Sequence, residues 1–401
     1  MARVLFINAG SEGHINPTIG VVQELISRGE DDVVYFTIEA FRERIEQTGA
    51  TVRTIDGQKF IKAFISGGRN HLLERVNGLL HTADIIIPGV LEQIKGEHFD
   101  YIIHDSMFGC GRLLAQILKL PAINSCTSFA ETKESFNRTV KDPSENISTE
   151  MLKKINDDFQ NLTSKINKNY NVEIRSPYEV FCNPAPLTIV YTTREFQPFG
   201  DVFDETYKFV GPSISSRLTQ DHFDLPLIKN KRPIYISMGT VRNETIDFYK
   251  LCFAALGNTE HTVVMSIGEK TQLSDLGEIP KNFIVKNYLH QIDVLKYTKL
   301  FITHAGMNGT HEGLYLGVPL IAIPLSADQP TIADQIAKVG AGVKLKIEDI
   351  TPSQLIEAVN HVLTQPSFKE AALNMSTSLQ QSGGYRQAVD EIFKFKIRYG
   401  I

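Results

Sequence analysis

The sequence predicts an α/β fold of two parallel-sheet domains, and three observations carry that expectation. Short apolar, β-prone runs alternate with amphipathic helical stretches, the pattern of a parallel sheet with helices on both faces. The chain has 401 residues, too many for one typical domain and suited to two of roughly 200 each. The alternation breaks once, and a Gly-Pro and serine-rich stretch, Val210 to Asp224, follows as a candidate linker.

In the first half, Arg3 to Asn8 reads as a strand. Pro17 to Arg28 reads as a helix with Ile19, Val22, Leu25 and Ile26 on one face. Between them, Ala9-Gly10-Ser11-Glu12-Gly13 is a loop leading to His14. Val33 to Ile38 is a strand and Ala40 to Thr48 a charged helix. Tyr101 to His104, a helix from Gly109 to Leu118, and Pro121 to Ser125 continue the rhythm. Residues 130–180 break it with polar helical stretches such as Met151 to Asn169. They fit a solvated helix pair as well as a part in substrate binding. Leu187 to Thr193 returns to the sheet pattern. The second half repeats the alternation, with strands at Ile234 to Met238, His261 to Ile267, Phe283 to Val285, Leu300 to Thr303 and Pro319 to Pro324.

The segment Phe301 to Gln329 carries the most chemistry. A short strand, an Ala305-Gly306 turn and a helix from Asn308 to Leu316 leave free backbone N–H groups at a positive helix end. That arrangement suits phosphate, with His304 as a further donor. Glu312, one turn in, is a carboxylate suited to the paired hydroxyls of a ribose. Asp328-Gln329, expected at the end of the next strand, offers the same chemistry to a sugar. Phosphate, ribose and hexose groups in one segment describe a nucleotide-sugar site.

Composition narrows the classes. Hydrophobic content of 42% and charged content of 22% are those of a soluble globular protein. A net charge of −5 carries no nucleic-acid signature. No signal peptide and no apolar run of membrane-spanning length is evident. The four cysteines lack CxxC spacing, so buried thiols are expected rather than zinc or disulfides. Asn-x-Ser/Thr matches at Asn137, Asn146, Asn161, Asn243, Asn308 and Asn374 are read as chance, and the protein as cytoplasmic.

The stretch His304-Ala305-Gly306-Met307-Asn308-Gly309-Thr310-x-Glu312, through Gly317-Val318-Pro319 to Asp328-Gln329, resembles the donor signature of family 1 glycosyltransferases, closest to the bacterial macrolide type. Gly13-His14-Ile15-Asn16-Pro17, Phe209-Val210-Gly211-Pro212, Ser237-Met238-Gly239-Thr240 and Gln291-x-Asp293-Val294-Leu295 extend the resemblance over essentially the whole chain. It implies a GT-B fold, two Rossmann-like domains facing across a cleft. Residues 1–212 would bind the acceptor and 213–384 the nucleotide sugar, with a helix over 385–401 crossing back. It also implies donor contacts from Ser237, Gly239, Thr240, Tyr288, Leu289, Gln291, His304, Gly306, Met307, Asn308, Gly309, Thr310, Glu312, Asp328 and Gln329.

His14 follows the first strand, at the end of a parallel sheet where ligands bind. A histidine in a glycine loop is usually structural. The Gly-His-x-Asn-Pro context points instead to a catalytic base, for which its ordinary pKa is suited. Asp105 ends the strand beginning at Tyr101. It reads as a cap for the helix that follows or as a carboxylate orienting His14, and the resemblance favours the pair. His104 should face the other way. Gly109-Cys110-Gly111 lacks the third glycine of a dinucleotide fingerprint, and His311-Glu312 lacks the second histidine of a zinc-protease motif. The chain has no Asp-x-Asp pair and no tryptophan. The first fits a metal-independent reaction needing no cofactor beyond a UDP-sugar co-substrate. Tyr288 stands where the family has a tryptophan on uracil, His290 for a proline, Ala305 for a glycine and Gly309 for a serine.

The expected function is inverting transfer of a hexose, glucose first, from a UDP-sugar such as UDP-glucose to a hydroxyl of a hydrophobic small-molecule acceptor, macrolide- or flavonoid-like. The acceptor would lie among loops near 60–80, 106–110 and 128–180. No nucleic-acid partner and no stable membrane anchor are expected. The alternatives are a GT-B transferase with a lipid-linked acceptor, a nonhydrolysing nucleotide-sugar epimerase, and an inactive nucleotide-sugar-binding protein.

Overall fold

A computed structural model describes residues 2–8, 10–29, 31–68, 71–141, 147–215, 226, 228–239 and 245–401. Ala9, Asn146, Thr240, Asn243 and the linker stretch beyond Ser215 lie outside the described residues. The chain forms two compact units. One holds Met1–Tyr191, Phe199–Ser215 and Gly384–Ile401; the other holds Thr192–Pro198 and Ser216–Gly383.

The first unit runs β1 (Ala2–Ile7), α1 (Glu12–Ser27), β2 (Asp31–Ile38), α2 (Arg42–Glu46), β3 (Thr51–Ile55), α3 (Gly57–Ser66), α4 (Leu72–Gln93), β4 (Tyr101–Asp105), α5 (Gly111–Leu118), β5 (Ala122–Cys126), α6 (Lys133–Val140), α7 (Thr149–Tyr170), α8 (Pro177–Cys182), β6 (Leu187–Val190) and β7 (Tyr207–Phe209). Among the described residues these strands form a seven-stranded sheet in the order β3-β2-β1-β4-β5-β6-β7, and its ladders are parallel. Alternate side chains of β1 feed opposite faces, as strand geometry requires. Leu5 and Ile7 join a core with α4 and α5, while Val4 and Phe6 join one with α1.

The second unit runs β8 (Ile234–Ser237), α9 (Ile246–Leu256), β9 (Val263–Ser266), β10 (Phe283–Lys286), α10 (Gln291–Leu295), β11 (Leu300–Thr303), α11 (Met307–Tyr315), β12 (Leu320–Ala322), α12 (Gln329–Lys338), β13 (Gly342–Lys344), α13 (Pro352–Thr364) and α14 (Pro366–Gln381). Among the described residues its six-stranded sheet has the order β10-β9-β8-β11-β12-β13, again parallel. Tyr235 and Phe301 stack across neighbouring strands with ring centroids 5.1 Å apart.

The last helix, α15 (Gly384–Tyr399), belongs to the first unit. It packs on α1, where the Tyr385 ring would stand 2.9 Å from a Cβ on Gly20. The Arg28–Asp390 ion pair at 2.6 Å and the buried Lys396–Asp31 pair at 2.9 Å tie it down.

Three helices differ usefully from their sequence reading. Helix α1 begins at Glu12 rather than Pro17, so His14 sits in its first turn, not in a loop. Proline suggested the helix start because it is favoured there. Lying one turn inside, it removes only one backbone donor. Helices α3 and α4 have no clear signal in the sequence. Glycines at 67, 78 and 89 and Pro88 obscure their period. Gly78 is needed there, because a Cβ would fall 2.3 Å from the Phe64 carbonyl oxygen. Among the described residues no helix is long and apolar enough to cross a membrane.

Candidate functional site

In the first unit β1 and β4 are neighbours, Ile7 pairing with His104, so the segments after them emerge at one edge of the sheet. The turn after β1 is built around Asn8. Its side-chain amide donates to the His14 carbonyl at 2.9 Å and its oxygen accepts from the Gly10 N–H at 3.0 Å. Gly10 is obligatory, since a Cβ would lie 2.7 Å from that of His14. His14 Nδ1 then stands 2.8 Å from Asp105 Oδ2. Asp105 is 2% exposed, and its other oxygen accepts from the Met107 N–H at 2.8 Å. Asp105 therefore fastens the turn after β4 and faces His14 at once. It is not the cap of α5, which starts at Gly111 with Cys110 before it.

The Nδ1–H tautomer of His14 is the one that satisfies this carboxylate, and it places the ring's lone pair on Nε2. His104 is no rival. It is fully buried, close enough that a Cβ on Gly111 would be 2.4 Å away, and burial pushes its pKa down to about 4. Thr127, just past β5, also reaches His14 Nδ1, at 2.9 Å. The sequence reading missed it; its signal was a hydroxyl residue at the end of the strand next to the one ending in Asp105. The thiols of Cys110 and Cys126 are buried, which pushes both up to about 12.

In the second unit the β11–α11 turn carries the segment that resembles a donor signature. Ala305 has φ 60°, a conformation glycine adopts freely and alanine at a cost of roughly 1–2 kcal/mol. The residue departure noted at this position is therefore a strained one. Gly306 precedes α11 as its cap residue. The His304 ring lies between two glycines: a Cβ on Gly239 (φ 84°) would fall 2.5 Å from Cε1, and one on Gly306 2.5 Å from Nε2. Burial pushes the His304 pKa down to about 4, although Asp328 pulls the other way. At neutral pH it can offer only a neutral N–H, not a full positive charge. His304 Nδ1 and the hydroxyls of Thr303 and Thr310 are buried without a hydrogen-bond partner among the described residues. Unpartnered buried polar atoms are rare and mark places where a ligand's polar atoms fit.

Glu312 is 3% exposed and accepts from the Gln291 side-chain amide at 2.6 Å, which ties the start of α10 to α11. Gly309 faces the same amide, 3.4 Å from where its Cβ would be. Met307 is buried and Asn308 lies beside it in the first turn of α11. Ser237 ends β8 and is nearly buried. Leu289 is buried, and Tyr288 is 38% exposed.

Asp328 and Gln329 require a correction. They do not end a strand: β12 stops at Ala322, and they open α12, with Asp328 before its first residue. Gln329 Oε1 accepts from the N–H groups of Leu325 and Ser326 at 2.8 and 3.1 Å. Its amide oxygen thus holds the loop. His311 is buried in α11. It bonds the Thr192 hydroxyl at 2.9 Å and meets the Phe196 ring edge-on, centroids 5.5 Å apart. It serves packing, anchoring the segment Thr192–Pro198 to the second unit.

The family profile "UDP-glucoronosyl and UDP-glucosyl transferase" matches residues 231–382. The uncharacterized UDP-glucosyltransferase YojK of Bacillus subtilis is 37% identical, over 98% of this chain and 97% of its own. The oleandomycin glycosyltransferase of Streptomyces antibioticus is 27% identical, over 98% and 90%. The crystal structure of the kitacinnamycin glycotransferase superposes with a TM-score of 0.85 at 25% identity, covering 98% of both chains. The two parallel sheets with their helices are thus those of the GT-B glycosyltransferases, and the chain belongs to the UDP-glucoronosyl and UDP-glucosyl transferase family as a glycosyltransferase of the bacterial macrolide type.

Proposed function

We propose that the protein transfers a hexose, glucose first, from a UDP-sugar to a hydroxyl of a hydrophobic small molecule, with inversion and without a metal ion. The observation that carries this reading is the 2.8 Å contact between His14 Nδ1 and Asp105 Oδ2, which keeps Nε2 as the base. Nε2 takes the acceptor's hydroxyl proton as its oxygen bonds to the anomeric carbon. The bond from that carbon to the diphosphate breaks, and UDP leaves with the electron pair. Asp105 stabilises the imidazolium formed. One displacement by one oxygen inverts the anomeric centre.

The leaving diphosphate would meet the N–H groups that open α11, the Thr303 and Thr310 hydroxyls, and the neutral N–H of His304. Glu312, already oriented by Gln291, would accept from the ribose, and Tyr288 would stack on uracil. Asp328 and the NH2 group of Gln329 would hold the hexose hydroxyls. The names of the relatives support a sugar nucleotide and a natural-product acceptor.

The test is UDP release from UDP-glucose with a panel of phenolic and macrolide acceptors, with the product's anomer read by NMR. A β-glucoside formed from the α-linked donor supports the reading. A retained anomer, or no transfer to any acceptor alongside tight UDP binding, overturns it.

A further inference from the structure

Thr127 is not absorbed by the two-residue dyad, yet its geometry belongs there. It directly follows β5, whose Ser125 pairs with Asp105 of β4, and it is 5% exposed. Its Oγ1 lies 2.9 Å from His14 Nδ1, the atom that also faces Asp105 Oδ2 at 2.8 Å. Resting on the transferase reading above, we infer that Thr127 is a positioning residue that shares the His14 Nδ1–H with Asp105, fixing the ring's tautomer and plane so that Nε2 acts as the base.

One nitrogen carries one hydrogen, so two acceptors at these distances share it. In the opposite tautomer a bare Nδ1 lone pair would face a buried carboxylate, and the Thr127 hydroxyl alone cannot offset that repulsion. A second acceptor also restricts rotation about the bond to the ring, which a single contact to Asp105 leaves looser. When Nε2 takes a proton, both acceptors face a cation, and the hydroxyl dipole adds to the carboxylate's charge.

Other ionisable groups lie near the dyad. Tyr35 and Tyr191, which feel Asp105, are buried, and burial raises both far above the ordinary tyrosine range. The Cys126 thiol, pushed up to about 12, stays neutral. Glu12, on the same helix turn as His14, is paired with Arg44 at 2.6 Å.

The experiment compares Thr127→Val, which keeps the branched shape and removes the oxygen, with Thr127→Ser, which keeps the oxygen. The first readout uses the free protein: 15N-histidine NMR of the His14 ring, assigned from a His14→Gln spectrum. Thr127→Val should lower the His14 titration midpoint by about half to one pH unit, and Thr127→Ser should leave it in place. The second readout is transfer. Thr127→Val should lower kcat about three- to tenfold, move the acidic limb of the kcat/KM profile down in pH, and leave the KM for UDP-glucose unchanged, whereas Thr127→Ser should keep most of the rate. If Thr127→Val fails to fold, Thr127→Ala removes the same oxygen. An unmoved His14 midpoint and tautomer in Thr127→Val, or a loss in Thr127→Ser equal to that in Thr127→Val, overturns the inference. Because the NMR readout needs no turnover, it stands even if the wild-type protein transfers no sugar.

Discussion

Glu312 and Gln291 are joined by a 2.6 Å hydrogen bond from the glutamine amide to one carboxylate oxygen. One residue opens α10 and the other lies inside α11, so the bond fixes the carboxylate's plane before any nucleotide arrives. Such preorganisation reduces the ordering needed on binding.

From that follows a donor preference. A thymidine diphosphate sugar lacks the ribose 2′-hydroxyl and would leave the buried carboxylate short of a donor, costing on the order of 1–3 kcal/mol. Uracil and thymine differ by one methyl over the Tyr288 ring, so the ribose should dominate. UDP-glucose should exceed TDP-glucose about ten- to a hundredfold in kcat/KM. Glu312→Ala should narrow the gap by harming the UDP-sugar more, and steady-state kinetics with both donors check it. Equal use of both by the unmutated enzyme would remove Glu312 as the ribose ligand.

Gly239→Ala should damage the donor site through the His304 ring. The added Cβ would fall 2.5 Å from the His304 ring at a backbone φ of 84°, so ring and backbone must both move. A stability loss of about 1–2 kcal/mol should accompany weaker UDP binding, measured by thermal melting and calorimetry. Unchanged UDP affinity would separate His304 from the phosphates.

Stability should fall on mild acidification. Burial pushes His104 and His304 down to about 4 and His311 to about 3, from an ordinary 6.5. Each folded-state value lies below the unfolded one, so below pH 6.5 the unfolded chain takes up protons that the folded protein refuses. The contribution is complete above that pH and is lost as the pH falls towards 4 and 3. Three such groups give a slope approaching roughly 4 kcal/mol per pH unit near pH 5. Melting temperatures between pH 7 and pH 5 measure it. A flat profile would show these rings accept protons in place.

Transfer should persist in excess chelator. The N–H groups opening α11, the buried hydroxyls of Thr303 and Thr310, and the His304 N–H are the proposed hydrogen-bond donors to the leaving diphosphate. Assays with and without EDTA should agree closely. Loss of the rate with EDTA and its rescue by magnesium or manganese would assign that charge to a metal instead.

The two parallel sheets were legible because central strands are apolar runs of fixed length, as in Leu300–Thr303. The edge strand β3, Thr51–Ile55, was not legible, since its residues are half-exposed and mixed in character. The nucleotide-sugar motif was legible because its glycines and carboxylate sit at fixed spacing in one segment. Thr127 was not, because sheet pairing rather than sequence distance brings it to His14. Nor was the role of Gln329. Whether an amide holds a loop or a ligand depends on the turn at Ala327, whose φ is 60°.

The most direct test of the account is His14→Ala examined twice, by calorimetry with UDP and by UDP-glucose turnover with an acceptor. His14 stands in the first unit and the donor motif in the second. UDP should therefore bind as to the wild type, while kcat falls about a hundred- to ten-thousandfold. A variant that loses UDP binding, or one that keeps most of its kcat, would contradict the assignment of His14 as the base.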